Sequence, residues 1–329
     1  MNWLITGGCG FIGTCLIDNL MKEGGHFIRV IDNLSVGTRK DLADVCEYVE
    51  PDPHSLQTKK PGPDVKLIKG DIRDDKLALN VAQDIDVIVH LAASTGVAPS
   101  VENPRSDCLA NVIGTFNYLE AARHNHVTRF IFASSGATIG DCKPPIHEKL
   151  FQQPVSPYGA SKLSGEAYCS AYYRTFNVET VTLRFGNVYG PLSSHKDSVV
   201  PRFIKRAMAG KFLEIYGDGM QTRDFIFSDD LIRAIRLAAT TAGVGGETFQ
   251  IATSSETTIT EIADKLRLIL AKAGIKNLEI RYTSPRKGDV FRNFSDTSKA
   301  KKLLGWQAHV DLAEGLQRVV DWFTDTAGK

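Results

Sequence analysis

The chain has 329 residues, 43% apolar and 23% charged, the proportions of an ordinary globular protein, which exclude a disordered or collagen-like chain. Its 39 lysines and arginines balance 38 aspartates and glutamates, so no basic field is available for gripping a nucleic acid, and phosphate recognition has to be local. Six scattered cysteines contain no C-x-x-C pair, so neither a zinc site nor a disulfide framework is indicated, and no stretch approaches the roughly 20 apolar residues that span a bilayer. The first six residues run straight into a glycine cluster, leaving no room for a cleavable leader. The expectation is a cytoplasmic protein with no metal, nucleic-acid or membrane partner.

Apolar runs expected to be buried strands recur at 3–6, 27–31, 65–69, 87–91, 129–134 and 180–184. Helical segments lie between them, most clearly at 16–23 and 111–124. Such alternation predicts an α/β fold with a doubly wound parallel sheet. Residues 50–63 hold four prolines among polar residues and read as a surface insertion without chemistry. Beyond about residue 190 the helices 200–209, 259–273 and 313–324 are separated by glycine-rich loops, which predicts a smaller C-terminal α/β lobe. A β-like run at 248–252 is expected to rejoin the main sheet.

Directly after the first strand stand Gly7, Gly10, Phe11, Ile12 and Gly13, with a helix to follow. A turn without side chains lets backbone N–H groups and the positive helix end approach a pyrophosphate. The second strand ends at Asp32, where a carboxylate can accept from a ribose diol but would repel a 2′-phosphate, favouring NAD over NADP. An Asx turn with Asn33 is the purely structural alternative. Asn33, Leu34, Ser35 and Gly37 are counted with the cofactor site. Asp71 and Ile72, after the third strand, could reach the adenine, although Asp71 alone could cap the next helix.

The sharpest signal is Ser156-Pro157-Tyr158-Gly159-Ala160-Ser161-Lys162. Ser156 and Pro157 suit an N-cap and first helical position, which puts Tyr158 and Lys162 on one helix face. A free tyrosine titrates near pH 10, and a neighbouring ammonium with a cationic nicotinamide would favour its phenolate as a base. Lys162 would also hold the nicotinamide ribose. The strand before ends in Ser134-Ser135, at the sheet edge where ligands bind; Ser135 could hydrogen-bond the reacting oxygen or merely cap a turn.

Glycines 7, 10 and 13, Asp32, His90-Leu91-Ala92-Ala93, Ser135, Tyr158 and Lys162 together resemble the extended short-chain dehydrogenase/reductase family, in particular nucleotide-sugar epimerases of the UDP-glucose 4-epimerase type. The resemblance implies a Rossmann-type NAD domain over 1–190, a nucleotide-sugar lobe mainly over 191–329, and a homodimer paired through helices of the first domain. It adds Leu91, Ala92, Ala93 and Phe185 to the cofactor site. It also implies that Asn187 in the segment Leu183–Pro191, Arg223, Arg286 and Asp289 hold the diphosphate and nucleoside ribose, a forked guanidinium suiting phosphate. The alternative for the arginines is pairing with Asp224 or Asp289. The apolar run 213–216 could lie along the nucleobase or belong to a core.

Departures narrow the reaction. Family dehydratases carry an acid just after the serine or threonine, whereas Ser135 is followed by Gly136-Ala137-Thr138. Thr95 stands where relatives often have a cofactor-touching lysine, predicting weaker cofactor retention. Asn293 stands where some glucose-specific relatives have tyrosine, leaving room for an N-acetyl or carboxyl group. The expected activity is NAD-dependent C4 epimerisation of a UDP-hexose, hexosamine or uronic acid through a 4-keto intermediate. The rivals are a 4-ketosugar reductase, an epimerase at another carbon, and a non-catalytic sensing module.

Overall fold

The computed structural model describes residues 1–52, 64–285 and 290–327. Eight strands form the main sheet: β1 (Asn2–Thr6), β2 (Phe27–Asp32), β3 (Tyr48–Val49), β4 (Val65–Lys69), β5 (Val87–His90), β6 (Arg129–Ser135), β7 (Thr180–Phe185) and β8 (Thr248–Ile251). Their order is β8-β7-β6-β5-β1-β2-β4-β3. The pairing is parallel, with Trp3 opposite Ile28 on one side and Val87 on the other. The apolar runs of β1, β2 and β5 are almost wholly buried, as interior parallel strands require. Chain direction across the sheet reverses at β1, which lies between β2 and β5. In open parallel sheets the carboxyl edge at such a reversal is where ligands bind.

By contacts the chain divides into two compact units, one of residues 1–140, 148–184 and 232–249, the other of 141–147, 185–231 and 250–329. The core of the first includes Leu4, Ile31, Ile88, Tyr118, Phe130 and Phe132. In the second, helices Val199–Met208, Ile259–Lys272 and Leu312–Ala327 bury Phe203, Ile262, Leu266, Leu316 and Val320 together. Thr258 and Glu261 form a capping box that starts the middle helix. Leu213–Tyr216 is a strand paired in parallel with Ile280–Thr283, and its Leu213 and Ile215 are fully buried in that core.

The helix expected at 111–124 is three pieces: Pro104–Cys108, a π turn over Leu109–Ile113, and Gly114–His124. Asn103 caps the first piece, with Pro104 at its first position. The helix expected at 16–23 begins at Phe11, because the glycine turn feeds it directly. Strand β3, two residues long, is too short to leave a periodic signal. Residues 53–63 of the proline-rich insertion lie outside the described residues. Among the described residues no helix is long and apolar enough to cross a membrane.

Candidate active site

The loop after β1 is a cradle with no space for side chains. Gly7 sits at φ +70° with its N–H on Ile31 O at 2.7 Å. A Cβ on Gly7 would meet Ala92 N and Cα at 2.9 Å, and one on Gly13 would meet Gly7 O and Gly8 Cα at 2.5 Å. Gly37 packs so closely on Cys9 O that a Cβ would stand 2.0 Å from it. Gly10 begins the Phe11–Glu23 helix without a side-chain cap, so its first-turn N–H groups, those of Phe11 and Ile12 among them, face the carboxyl end of the sheet. Leu91 donates to Thr6 O at 3.2 Å and Ala92 to Thr6 Oγ1 at 3.1 Å, tying the Leu91-Ala92-Ala93 loop to the end of β1.

Asp32 ends β2 with its carboxylate buried beneath this loop. It accepts from Cys9 N at 2.9 Å and from Leu34 N at 2.8 Å, so it makes an Asx turn with Leu34 and also anchors the glycine loop. Burial raises its proton affinity and the two N–H bonds oppose that. Each oxygen keeps a lone pair that a ribose diol can use. Asn33 closes a second Asx turn on Ser35 N at 3.0 Å. Asp71 is engaged by Arg73, whose Nε lies at 2.9 Å; the cap of the next helix is Asp74, not Asp71. Ile72 is buried and its carbonyl accepts from Asn117 Nδ2 at 3.0 Å.

Ser135, Tyr158 and Lys162 come together where β6 meets the Pro157–Phe176 helix. Ser156 Oγ accepts from Gly159 N at 3.1 Å and Pro157 occupies the first turn, as their types dictate. Gly159 allows close packing: a Cβ would lie 2.4 Å from Ala137 O. Ser135 makes the turn cap considered for it, accepting from Ala137 N at 3.2 Å, and also hydrogen-bonds the Tyr158 phenol. Burial pushes that phenol up to about 12, and the Ser135 bond pulls the other way. Lys162 is buried, donates to Ala133 O at 2.8 Å, and is pushed down by burial to about 8 despite Asp107 and Glu166.

Several buried polar residues support this centre through partners far off in the sequence. His90 is fully buried between Thr6 Oγ1 at 2.9 Å and Thr115 Oγ1 at 3.2 Å, and burial drives it down to about 3, so it is neutral. Asn111, on the π turn, grips both backbone groups of Ser94 at 2.8 and 2.9 Å and reaches Ser161 Oγ at 3.1 Å. Glu166 pairs with buried Arg184 through Nε at 2.8 Å and also accepts from Ser134. The signal that could have found Asn111 is a polar residue four after Asp107 on an otherwise buried helix face.

Phe185, Asn187, Arg223 and Asn293 belong to the second unit. Asn187 is exposed at the start of the strand Asn187–Tyr189 and donates its N–H to Asp224 O at 2.8 Å. Arg223 donates through one nitrogen to Thr222 O at 2.6 Å and Val290 O at 2.7 Å. The acid beside it is committed elsewhere: fully buried Asp224 accepts from Thr253 N at 2.7 Å and Ser295 N at 3.2 Å. Asn293 is half-buried. Arg286 and Asp289 lie outside the described residues, among which no cluster of three metal-ligating side chains occurs.

The model of the NAD dependent epimerase/dehydratase family matches residues 3–252. A UDP-glucose 4-epimerase of Mycolicibacterium smegmatis is 35% identical over 328 residues, 98% of each chain. The crystal structure of a UDP-glucose 4-epimerase from Thermotoga maritima, solved with UDP-glucose, superposes with a TM-score of 0.86 at 33% identity, covering 99% of this chain and 100% of that one. A UDP-glucuronic acid 4-epimerase from Bacillus cereus, in complex with UDP-glucuronic acid and NAD, gives 0.86 at 30% identity with the same coverage.

Proposed function

Since this chain belongs to the NAD dependent epimerase/dehydratase family, we propose that it inverts C4 of a UDP-linked hexose, hexosamine or uronic acid by transient oxidation. The observation that carries the reading is the Ser135–Tyr158 hydrogen bond with Lys162 one helical turn away and anchored on Ala133 O. The side-chain-free cradle of Gly7, Gly10, Gly13 and Gly37, closed by Asp32, fits NAD, and the Asp32 carboxylate would repel a 2′-phosphate. Bound NAD supplies a place for the C4 hydrogen to be held as hydride and returned.

Tyr158 takes the C4 hydroxyl proton and later gives it back, while Ser135 hydrogen-bonds the same oxygen through both halves of the reaction. Lys162 holds the nicotinamide ribose and brings positive charge to a phenol that burial alone would keep protonated. The ketosugar has to offer both faces of C4, so it must be retained while it turns. Asn187, Arg223, Arg286 and Asp289 are assigned that retention through the diphosphate and nucleoside, and Asn293 the tolerance of a larger sugar substituent. Phe185, Leu91, Ala92, Ala93, Asn33, Leu34, Ser35, Asp71 and Ile72 are assigned to the rim of the cofactor site. On this reading the first unit carries the NAD residues apart from Phe185 and the second those for the nucleotide sugar, the units interleaving through 141–147 and 232–249 where the sequence predicts one boundary near residue 190 and a strand returning at 248–252.

A homodimer is proposed through the helices before and within the catalytic turn. Leu109, Ile113, Tyr168 and Phe176 are each more than a third exposed there, and Phe116 packs on Tyr168 at 5.5 Å between centroids. Six free thiols fit the cytoplasm. The test is incubation with UDP-glucose, UDP-N-acetylglucosamine and UDP-glucuronate separately, without reductant, and product analysis by proton NMR. A C4 epimer reaching one equilibrium ratio from either side is expected; steady consumption of NADH would favour a ketosugar reductase instead.

A further inference from the structure

The reaction as described gives no task to Asp107, a buried acid beside the catalytic helix. Asp107, on the short Pro104–Cys108 helix packed against the catalytic helix, is 1% exposed. Its Oδ1 accepts from Asn111 Nδ2 at 2.9 Å, while its buried Oδ2 has no hydrogen-bond partner among the described residues. A buried carboxylate oxygen left unpaired is costly and calls for a reason. The Asn111 amide that Asp107 holds also reaches Ser161 Oγ at 3.1 Å, and Ser161 donates to Tyr158 O at 3.0 Å. Asp107 is therefore two hydrogen bonds from the turn that carries Tyr158 and Lys162.

The titratable groups around Lys162 are Asp107 from the Pro104–Cys108 helix, Tyr158, Glu166 and Cys169 from its own helix, and His90 from β5. Glu166 is already paired with Arg184, the Cys169 thiol is pushed far up by burial, and His90 is neutral. Asp107 is the acid left to balance the ammonium. We propose that Asp107 is a positioning residue for the epimerisation, clamping Asn111 against Ser161 and supplying through its unpartnered oxygen the buried counter-charge for Lys162. This rests on the C4-epimerase reading. Its negative charge raises the proton affinity of both Lys162 and Tyr158.

Asp107→Asn keeps the size and an oxygen for Asn111 but removes the charge. Losing that charge eases proton release from ammonium and phenol alike, so both limbs of the kcat–pH profile are expected to move to lower pH by about one unit. Asp107→Glu should return them towards wild type. Tyr158 is read separately, without turnover, by ultraviolet phenolate titration of the NAD-loaded protein, taken as the difference from the matching Tyr158→Phe protein. The same acid-ward shift is expected. A lower kcat with both limbs and the phenolate titration unmoved overturns the proposal. If wild type epimerises no UDP-sugar, the epimerase reading fails while the phenolate titration still decides the role of Asp107. Should Asp107→Asn not fold, Asp107→Ser removes the charge with less bulk and takes the same measurements.

Discussion

Replacing Tyr158 by phenylalanine keeps the ring that packs at the start of the catalytic helix and removes one oxygen. Ser135 still caps Ala137 N, and Lys162 still binds Ala133 O, so the fold should survive. With its phenol pushed up to about 12, Tyr158 without a bound cation would be ionised at pH 7 in only about one molecule in 10⁵. Adjacent positive charge recovers about 1–3 pH units of that, which makes turnover rise with pH on the acid side. Removing a positioned general base costs about 10²- to 10⁴-fold, or about 3–5 kcal/mol of barrier. The assay is kcat against pH with the preferred UDP-sugar, alongside a thermal melt. Tyr158→Phe is expected to melt like wild type, lose at least two decades of kcat, and lose the acid limb. A folded variant that keeps a tenth of the activity, or keeps the limb, refutes the assignment of Tyr158 as the base.

Three other outcomes follow from particular contacts. Gly13→Ala places a methyl 2.5 Å from Gly7 O, so it should cost about 1–3 kcal/mol and weaken NAD more than tenfold by calorimetry; unchanged affinity would argue against the cradle. Glu166→Gln leaves Arg184, 1% exposed, as an unpaired buried cation, and urea melts should show a loss of about 3–5 kcal/mol. His90 is held neutral down to about pH 3 in the fold whereas the unfolded chain binds that proton near 6.5, so stability falls as pH drops between those values. His90→Gln should flatten that fall by up to about 5 kcal/mol, and an equally steep loss in the variant would contradict the buried neutral state.

What could be read from residue types alone was whatever local backbone physics enforces. Ser156-Pro157 announces a helix start, and that start is what puts Tyr158 and Lys162 in register. Glycines 7, 10 and 13 mark a turn because backbone fills the space where side chains would stand. The structural readings weighed for Asp32 and Ser135 are seen, as an Asx turn and a turn cap, and neither excludes a ligand role, since a turn-capping oxygen has a second lone pair. Thr6, Asp107 and Asn111 carried no signal of their roles because their partners are 17 to 86 residues away or sit on a π turn that no periodicity announces, and His90 stood out only as part of the His90-Leu91-Ala92-Ala93 motif. That Asp224 would be held by Thr253 and Ser295, 29 and 71 residues on, is likewise something no local pattern announces.

In the proposed reaction hydrogen leaves C4 of the sugar and returns to the same carbon from the other face. It is tested most directly with UDP-sugar carrying deuterium at C4, incubated with the enzyme in ordinary water without reductant. The epimer is expected to retain the label at C4, with no solvent hydrogen on the ring. Loss of deuterium to solvent, or its accumulation in released reduced cofactor, would contradict it.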